Sequence, residues 1–359
     1  MIVEIEREEI SRTRTVDAPA DALARGQARL RVDTFGLTTN NVTYAVFGDA
    51  MRYWDFFPTG DAAWGRVPVW GFADVVESAA DGCAPGERLY GYFPMGSEVV
   101  IEPGRADERG VSDLAAHRQE MAGAYNRYVR CATDPVYDAG REAQQMLLYP
   151  LFFTSFVVDD FYVDHHDYST GSVVLSSASS KTAIGVAFLA HRRGRRVIGL
   201  TSPSNREFVE GLGIYDEVVE YDASADALAD DAVYVDIAGN ADVRLAVHTT
   251  LDSRLAHSMT VGGTHWDHSS SASAVALPGP SPEFFFAPTQ IAKRTNDWGR
   301  DELDRRMGEA WAAYSDWTDR WLRVEHAAGA TAVASAWGEL VAGRVDPRTG
   351  IVGRVSADA

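Results

Sequence analysis

Two hydrophobic periods divide the chain. Up to about residue 130, apolar and polar residues alternate in short runs. VEIEREEI and QARLRVDTFGL show the period of two that half-buried strands require. WGRVPVWGFADVVES (64–78) continues it as a turn with strand character, PGERLYGYFP (85–94) as a loop feeding a strand, and AYNRYVRCA as a further strand. Before WGRVPVWGFADVVES, MRYWDFFP gathers aromatic residues. EPGRADERGVSDLAAHRQEMAG (102–123) is polar throughout and predicts an exposed insertion. From about residue 140 the period lengthens. REAQQMLLYPLFFTSFVVDDFY predicts one or two helices that bury Leu, Phe and Val, and VDHHDYSTG predicts a loop.

Beyond that loop, short apolar runs alternate with helical spacing. GSVVLSS is a buried strand, TAIGVAFLAHRR a helix stopped at Gly194, and RRVIGLT a second strand. REFVEGLGIYDEVVEYD supplies a helix and strand, DDAVYVDIAGN (230–240) a strand, RLAVHTTL a helix, and SMTVGGTHWD (258–267) a strand with its terminal loop. Strands alternating with helices predict a doubly wound parallel sheet, so the fold class is α/β. SSSASAVALPGPSP (269–282) is a small-residue loop, and FFFAPTQIAKR an aromatic segment after it. DELDRRMGEAWAAYSDWTDRWL predicts a long amphipathic helix, AGATAVASAWGELVAG a closing helix and GIVGRVS a closing strand.

The first βαβ unit holds the candidate chemistry. Such a unit binds phosphate at the helix N-terminus. Its turn is not a regular G-x-G-x-x-G: only Gly185 remains, at the position where the helix packs closely on the sheet. Ser177, Ser179, Ser180, Lys181 and Thr182 occupy the turn instead. Backbone N–H groups aimed at the pocket, hydroxyls and an ammonium make this an anion site. Nor is it a P-loop, because the upstream glycines are missing. Lys181 is one of only two lysines among 33 basic residues. The second strand ends in Thr201-Ser202-Pro203-Ser204-Asn205-Arg206, where NAD-selective folds place an acidic residue on the ribose 2′-OH. Hydroxyls, Asn205 and Arg206 suit a 2′-phosphate, which favours NADP(H). Otherwise Arg206 simply begins the next helix.

Composition narrows the partners. A net charge of −19 opposes nucleic acid and anionic membrane surfaces. The longest apolar run, LLYPLFFTSFVV, is shorter than a membrane span and reads as core. The charged start MIVEIEREEI and two cysteines, Cys83 and Cys131, predict a cytoplasmic protein with free thiols and no cysteine-rich zinc site.

The order of these segments has a counterpart. VDTFGLTTNNVTYAVFG, PVWGFADVVES with PGERLYGY, AYNRYV, FFTSFVV, the cofactor strand and turn, VYVDIAGN and GRVDPRTGIVGRVS span almost the whole chain. They resemble the successive elements of the medium-chain dehydrogenase/reductase superfamily, in its zinc-free quinone oxidoreductase and enoyl reductase branch. The resemblance implies a GroES-like β-rich domain at 1–140, completed by 319–359, and a Rossmann NADP-binding domain at 141–318. It implies an NADPH-dependent, metal-independent reduction of an α,β-unsaturated carbonyl, quinone or related carbonyl compound, and a homodimer with 258–286 near its axis. The chain departs from the family in two places. Ser-Ser-Lys-Thr replaces small-Gly-Gly in a turn that is about two residues longer, and the insertion at 102–123 is atypical. The family's zinc ligands are absent, and the neighbours His165, His166 and Asp167 are ill placed to chelate one ion.

By the same resemblance Tyr53 or Tyr44 orients or protonates substrate, or is a packed aromatic. Asn40 or Asn41 holds an anionic intermediate, or fixes its loop. Thr154 lies beside the nicotinamide, or caps a helix. His265, after Gly262 and Gly263, donates to a carbonyl or is structural, and both glycines join the cofactor set. Phe284, Phe285 and Phe286 form an apolar wall or core, with Phe286 at the cofactor. Two alternatives stand beside this reading: a catalytically silent NADP(H)-binding regulator, and a non-redox enzyme such as a lyase.

Overall fold

The computed structural model describes residues 1–18, 21–222, 228–261 and 276–356. They divide into two compact units, Met1–Leu147 with Leu322–Ala359, and Leu148–Trp321.

The first unit is β-rich. β1 (Ile2–Glu6) pairs antiparallel with β2 (Thr13–Val16) and with β4 (Trp64–Gly65). The larger sheet contains β3 (Ala28–Leu37), β5 (Pro68–Ser78), β6 (Arg88–Pro94), β7 (Glu98–Ile101), β8 (Pro103–Asp107), β9 (Gly110–Asp113) and β10 (Arg127–Arg130). It is completed by β17 (Arg323–Ala328) and β18 (Thr349–Arg354). The order is β17-β18-β3-β5-β6-β10-β9-β8, with β7 also on β3. The helices of this unit are α1 (Thr39–Val46), α2 (Gly123–Asn126) and α9 (Ala330–Val341). Alternation along β3 buries Ala28, Leu30 and Val32, as its sequence predicts. On α9 the apolar stripe buries Val333 and Trp337, and the Trp337 indole donates to the Ile10 carbonyl at 2.7 Å.

The segment 102–123 is largely exposed, as expected, but part of it forms β8 and β9, which extend the sheet beyond β10. Two of its polar residues, Asp113 and Arg118, are buried because they bond inward. Asp113 accepts from the backbone N–H of Glu102 and Ala115 and lies 3.3 Å from the Arg118 guanidinium. Both side chains are buried, and Arg118 stacks 4.5 Å from the Phe57 ring centre.

Among the described residues of the second unit, all strand pairings are parallel. The strands are β11 (Ser172–Leu175), β12 (Arg196–Thr201), β13 (Glu217–Glu220), β14 (Ala232–Asp236), β15 (Leu255–Thr260) and β16 (Glu283–Phe284). Their order, β13-β12-β11-β14-β15-β16, reverses between β11 and β14. All residues of β11 and β14 are buried, which is why both read as continuous apolar runs. The helices are α3 (Glu142–Asp164), α4 (Lys181–Arg192), α5 (Arg206–Gly211), α6 (Ala241–Leu251), α7 (Ala287–Trp298) and α8 (Arg300–Thr318). Gly194, at φ +77°, ends the α4 region as expected.

α3 is one helix with Pro150 inside it. Thr154 therefore lies mid-helix and caps nothing. Among the described residues the span Ala139–Asp164 is long and apolar enough by composition to cross a membrane, and 56% of its apolar window is buried within the protein.

Candidate functional site

The carboxyl ends of β11 and β14 are tied together by side chains. Ser176 donates to Asp236 Oδ1 at 2.9 Å and accepts from the N–H groups of Ile237 and Ala238 at 2.9 and 3.0 Å. Asp236 is buried, and its second oxygen accepts from Arg244 Nε at 2.7 Å. Sequence reading found the strand end but not this lock. The signal was the wide spacing of Ser, Asp and Arg, which only the parallel pairing of β11 with β14 brings together.

The turn before α4 is more self-contained than expected. Ser177 takes φ +53°, and its N–H donates to the Tyr221 hydroxyl at 3.2 Å. The Ala178 N–H donates to the Leu200 carbonyl, and the Ser180 N–H to the Ser177 carbonyl. Tyr215 closes the turn from below by donating to the Ala178 carbonyl at 2.8 Å. Of the backbone N–H groups expected to face a phosphate, those of Ser177, Ala178 and Ser180 are spent internally. Ser180 is the N-cap of α4, accepting from the Ala183 N–H. An anion at this turn would meet the α4 N-terminus with its dipole, at Lys181 and Thr182, and the side chain of Ser179.

Gly185 also needs a different reason. A Cβ there would meet Ser155 Oγ at 2.4 Å and Phe152 at 3.5 Å. The close approach is to α3, not to the sheet. Ser155 reinforces it by donating to the Thr182 carbonyl at 2.8 Å.

Residues after β12 gather beside the turn. Asn205 Nδ2 donates to Ser179 Oγ at 3.1 Å, joining two residues expected at the cofactor. Ser202 bonds Ser204 at 3.0 Å. Thr201 is buried, and its hydroxyl has no hydrogen-bond partner. Arg206 stands just beyond β12, but two carboxylates hold it: Glu210 at 2.8 Å and Glu220 at 3.4 Å. The Glu210 contact, then the Glu220 contact, raise its pKa. A 2′-phosphate must share Arg206 with them. The donor set suits a dinucleotide pyrophosphate held by hydroxyls, helix dipole and ammonium rather than by a glycine-rich backbone loop.

Other expected residues lie elsewhere. Thr154 is half-buried on α3. Phe286 occupies the N-cap position of α7, just after β16. With Phe161, His257, Glu283, Phe284 and Phe285 it lines a cavity of about 160 Å³. Phe284 and Phe286 are exposed, so neither is core. Gly262, Gly263 and His265 lie outside the described residues. Among the described residues no three His, Cys, Asp or Glu side chains are grouped to hold a metal ion. Asp167 is instead paired with Arg193 at 3.0 Å. Burial pushes the Cys83 thiol up to about 11 and the Cys131 thiol up to about 12.

The first unit contains the candidate phenols. Asn41 closes the capping box of α1: its Oδ1 accepts from the Thr38 N–H at 2.8 Å, and its Nδ2 donates to the Pro68 carbonyl at 3.1 Å. Its amide is spent on the fold, which corrects the expectation that it holds an intermediate. Asn40, one position earlier, donates to the Tyr44 hydroxyl at 2.7 Å. The Tyr44 ring lies 4.5 Å from Tyr53 and meets Tyr92 edge-on at 5.8 Å. Trp70 and Tyr125 pack on Tyr92 at 5.0 and 4.8 Å. Burial, then the neighbouring Tyr125, raises both Tyr44 and Tyr53 far above the ordinary phenol value, so both stay neutral near pH 7. Sequence reading missed Trp70, Tyr92 and Tyr125. The signal was aromatic alternation, Trp70 and Phe72 on β5 facing Tyr92 and Tyr90 on β6.

The family described as "Protein of unknown function (DUF2855)" matches residues 35–346. No curated protein matches the sequence. Solved structures match over nearly the whole chain. CurA from Vibrio vulnificus, in complex with NADPH, gives a TM-score of 0.55 at 15% identity, covering 97% of this chain and 94% of that one. A probable oxidoreductase from Mycobacterium abscessus gives 0.55 at 14%, covering 98% and 97%. The quinone oxidoreductase from Coxiella burnetii gives 0.54 at 13%, covering 99% of each. At these identities the likeness is one of fold. The chain has a GroES-like β-rich domain and a Rossmann doubly wound parallel-sheet domain, the architecture of medium-chain dehydrogenase/reductases.

Proposed function

From the premise that the chain belongs to the DUF2855 family, we propose that it is an NADPH-dependent, metal-independent oxidoreductase. Its substrate in this reading is an α,β-unsaturated carbonyl, a quinone or a related carbonyl compound. The observation that carries the reading is the Ser-rich turn into α4, at the point where the strand order of the parallel sheet reverses. Ligands of open parallel sheets bind at that reversal, beyond the carboxyl ends of the strands. A structure of the same fold holds NADPH, and others are described as enoyl reductases or a quinone oxidoreductase.

NADPH would supply the hydride. Ser179, Lys181, Thr182 and the α4 N-terminus would hold its pyrophosphate, and Ser202, Asn205 and Arg206 its 2′-phosphate. Ser176, Asp236 and Arg244 keep the two strand ends in register. In this reading Tyr53 or Tyr44 would orient or protonate the substrate.

The self-contained turn and the Glu210–Arg206–Glu220 cluster favour a second reading, a protein of this fold that binds NADP(H) without turnover or does non-redox chemistry. NADPH oxidation across a panel of enones, quinones and aldehydes separates the readings. Saturable turnover on any member supports the reductase. Binding without turnover supports the regulator, and no binding supports non-redox chemistry.

A further inference from the structure

We propose that the cavity lined by α3, α7, β15 and β16 is a binding site for a small organic cation. The ligand class is a quaternary ammonium group, held against phenylalanine rings with the Glu283 carboxylate as its counter-charge. The site belongs to the second unit alone and does not depend on the reductase reading.

The cavity measures about 160 Å³. Pockets for drug-sized ligands begin at roughly 300 Å³, so this one admits a headgroup rather than a large ring system. Its wall is aromatic. Phe161 comes from α3, Phe284 and Phe285 from β16 and its end, and Phe286 from the N-cap of α7. Phe285 meets Phe161 edge to face at 5.8 Å. Phe284 and Phe286 are exposed, so a solute reaches these rings from water.

Charge decides the class of ligand. Among the described residues the lining contains one fixed charge, Glu283, and no lysine or arginine. The neighbouring cations of α7 are committed elsewhere. Arg294 is paired with Asp160 at 2.6 Å, and Lys293 with Asp164 and Asp297 at 2.9 and 2.8 Å. His257 adds no charge near pH 7, because burial lowers its pKa below the ordinary imidazole value. An anion would meet a carboxylate and the negative faces of the rings. An uncharged apolar molecule would leave the carboxylate unmatched. A cation satisfies both, and an ammonium over ring faces is the arrangement aromatic cages use.

The carboxylate is held in place. His257 is buried on β15, with Tyr168 stacked on its ring at 4.5 Å. Tyr162 Oη lies 3.2 Å from His257 Nδ1, and Glu283 Oε2 lies 3.4 Å from His257 Nε2. With the Tyr162 hydroxyl donating to Nδ1, the imidazole proton sits on Nε2 and is donated to Glu283. His257 is thus a positioning residue that keeps an otherwise exposed carboxylate at the cavity wall.

Choline is the probe. Its uncharged counterpart is neohexyl alcohol, in which carbon replaces the ammonium nitrogen. Saturation transfer from the full-length protein to the methyl protons reads binding of each, with no dinucleotide present. Choline is expected to bind saturably, and the alcohol about tenfold more weakly or less. Glu283→Gln keeps size and the contact with His257 but removes the charge, and is expected to weaken choline about tenfold. Phe285→Leu is expected to weaken it severalfold. The Glu283 side chain is 70% exposed, so Glu283→Gln folds as the parent does and carries the test should Phe285→Leu misfold. Equal binding of the alcohol assigns the cavity to uncharged apolar molecules and overturns the proposal. Unchanged choline affinity in Glu283→Gln overturns it as well. Absence of choline binding by a protein that light scattering shows to be two chains gives these rings to a second copy, and absence of binding by a single chain leaves the cavity without a cation; either result overturns it.

Discussion

Arg206 lies where the sequence places a reader of the 2′-phosphate, yet Glu210 and Glu220 already hold its guanidinium. Its location was legible because β12 is an unbroken apolar run with a clear end. Its partners were not, because Glu220 reaches it only through the pairing of β12 with β13. Arg206→Ala is expected to weaken NADPH binding about tenfold and to leave NADH nearly unchanged, since only NADPH bears the 2′-phosphate. Glu220→Gln is expected to tighten NADPH. Calorimetric titration of each variant with both dinucleotides reads the two effects. Asn41 teaches a similar lesson: adjacent asparagines look alike in sequence, and only the capping box separates the structural one from the one on Tyr44.

Titration follows from burial at the same scale. Burial raises Tyr44, Tyr53 and Tyr92 above the ordinary phenol value. The unfolded chain then releases these protons first, near pH 10, so their contribution to stability is full below about pH 10 and is lost above it. Burial lowers His248 and His257 instead. The unfolded chain protonates these histidines first, so stability is full above about pH 6.5 and declines as pH falls below it. Urea midpoints measured from about pH 5 to pH 11 are expected to fall at both ends. A flat alkaline limb would contradict the neutral phenol cluster.

Among the elements, the βαβ unit around β11 was the most legible. Its strand is buried on both faces, its helix has a full apolar stripe, and Gly194 ends it. The reason for Gly185 was not legible, because nothing local shows that α3 crosses there rather than the sheet. The strands inside segment 102–123 were not legible, because buried polar residues such as Asp113 and Arg118 look the same in sequence as solvated ones. The Ser176–Asp236–Arg244 lock joins elements far apart in sequence and so escaped motif reading altogether. It makes a sharp prediction. Arg244→Met strands the Asp236 carboxylate, whose side chain is fully buried, and is expected to cost roughly 3 kcal/mol in urea unfolding. Ser180→Ala, which removes only the α4 cap, is expected to cost about 1 kcal/mol.

For the whole molecule, the change of hydrophobic period along the chain marks two kinds of architecture, and the structure has both: a β-rich unit closed by C-terminal segments, and a parallel α/β unit. Among the described residues β16 is the last strand of the parallel sheet, and Phe284 and Phe286 are exposed. An apolar sheet edge of this kind invites pairing, and the homodimer expected from the superfamily resemblance would cover it. Light scattering at working concentration is expected to give the mass of two chains, and Phe284→Ser with Phe286→Ser to shift it towards one. The net charge of −19 makes an anionic cofactor an improbable ligand anywhere but at a built site. The central claim is that the turn into α4 is such a site. Calorimetric titration of the purified protein with NADPH and NADH tests it most directly. The account predicts saturable binding of one dinucleotide per chain, tighter for NADPH, and weakened for both by Lys181→Ala. Absence of heat and of saturation with either dinucleotide would contradict it.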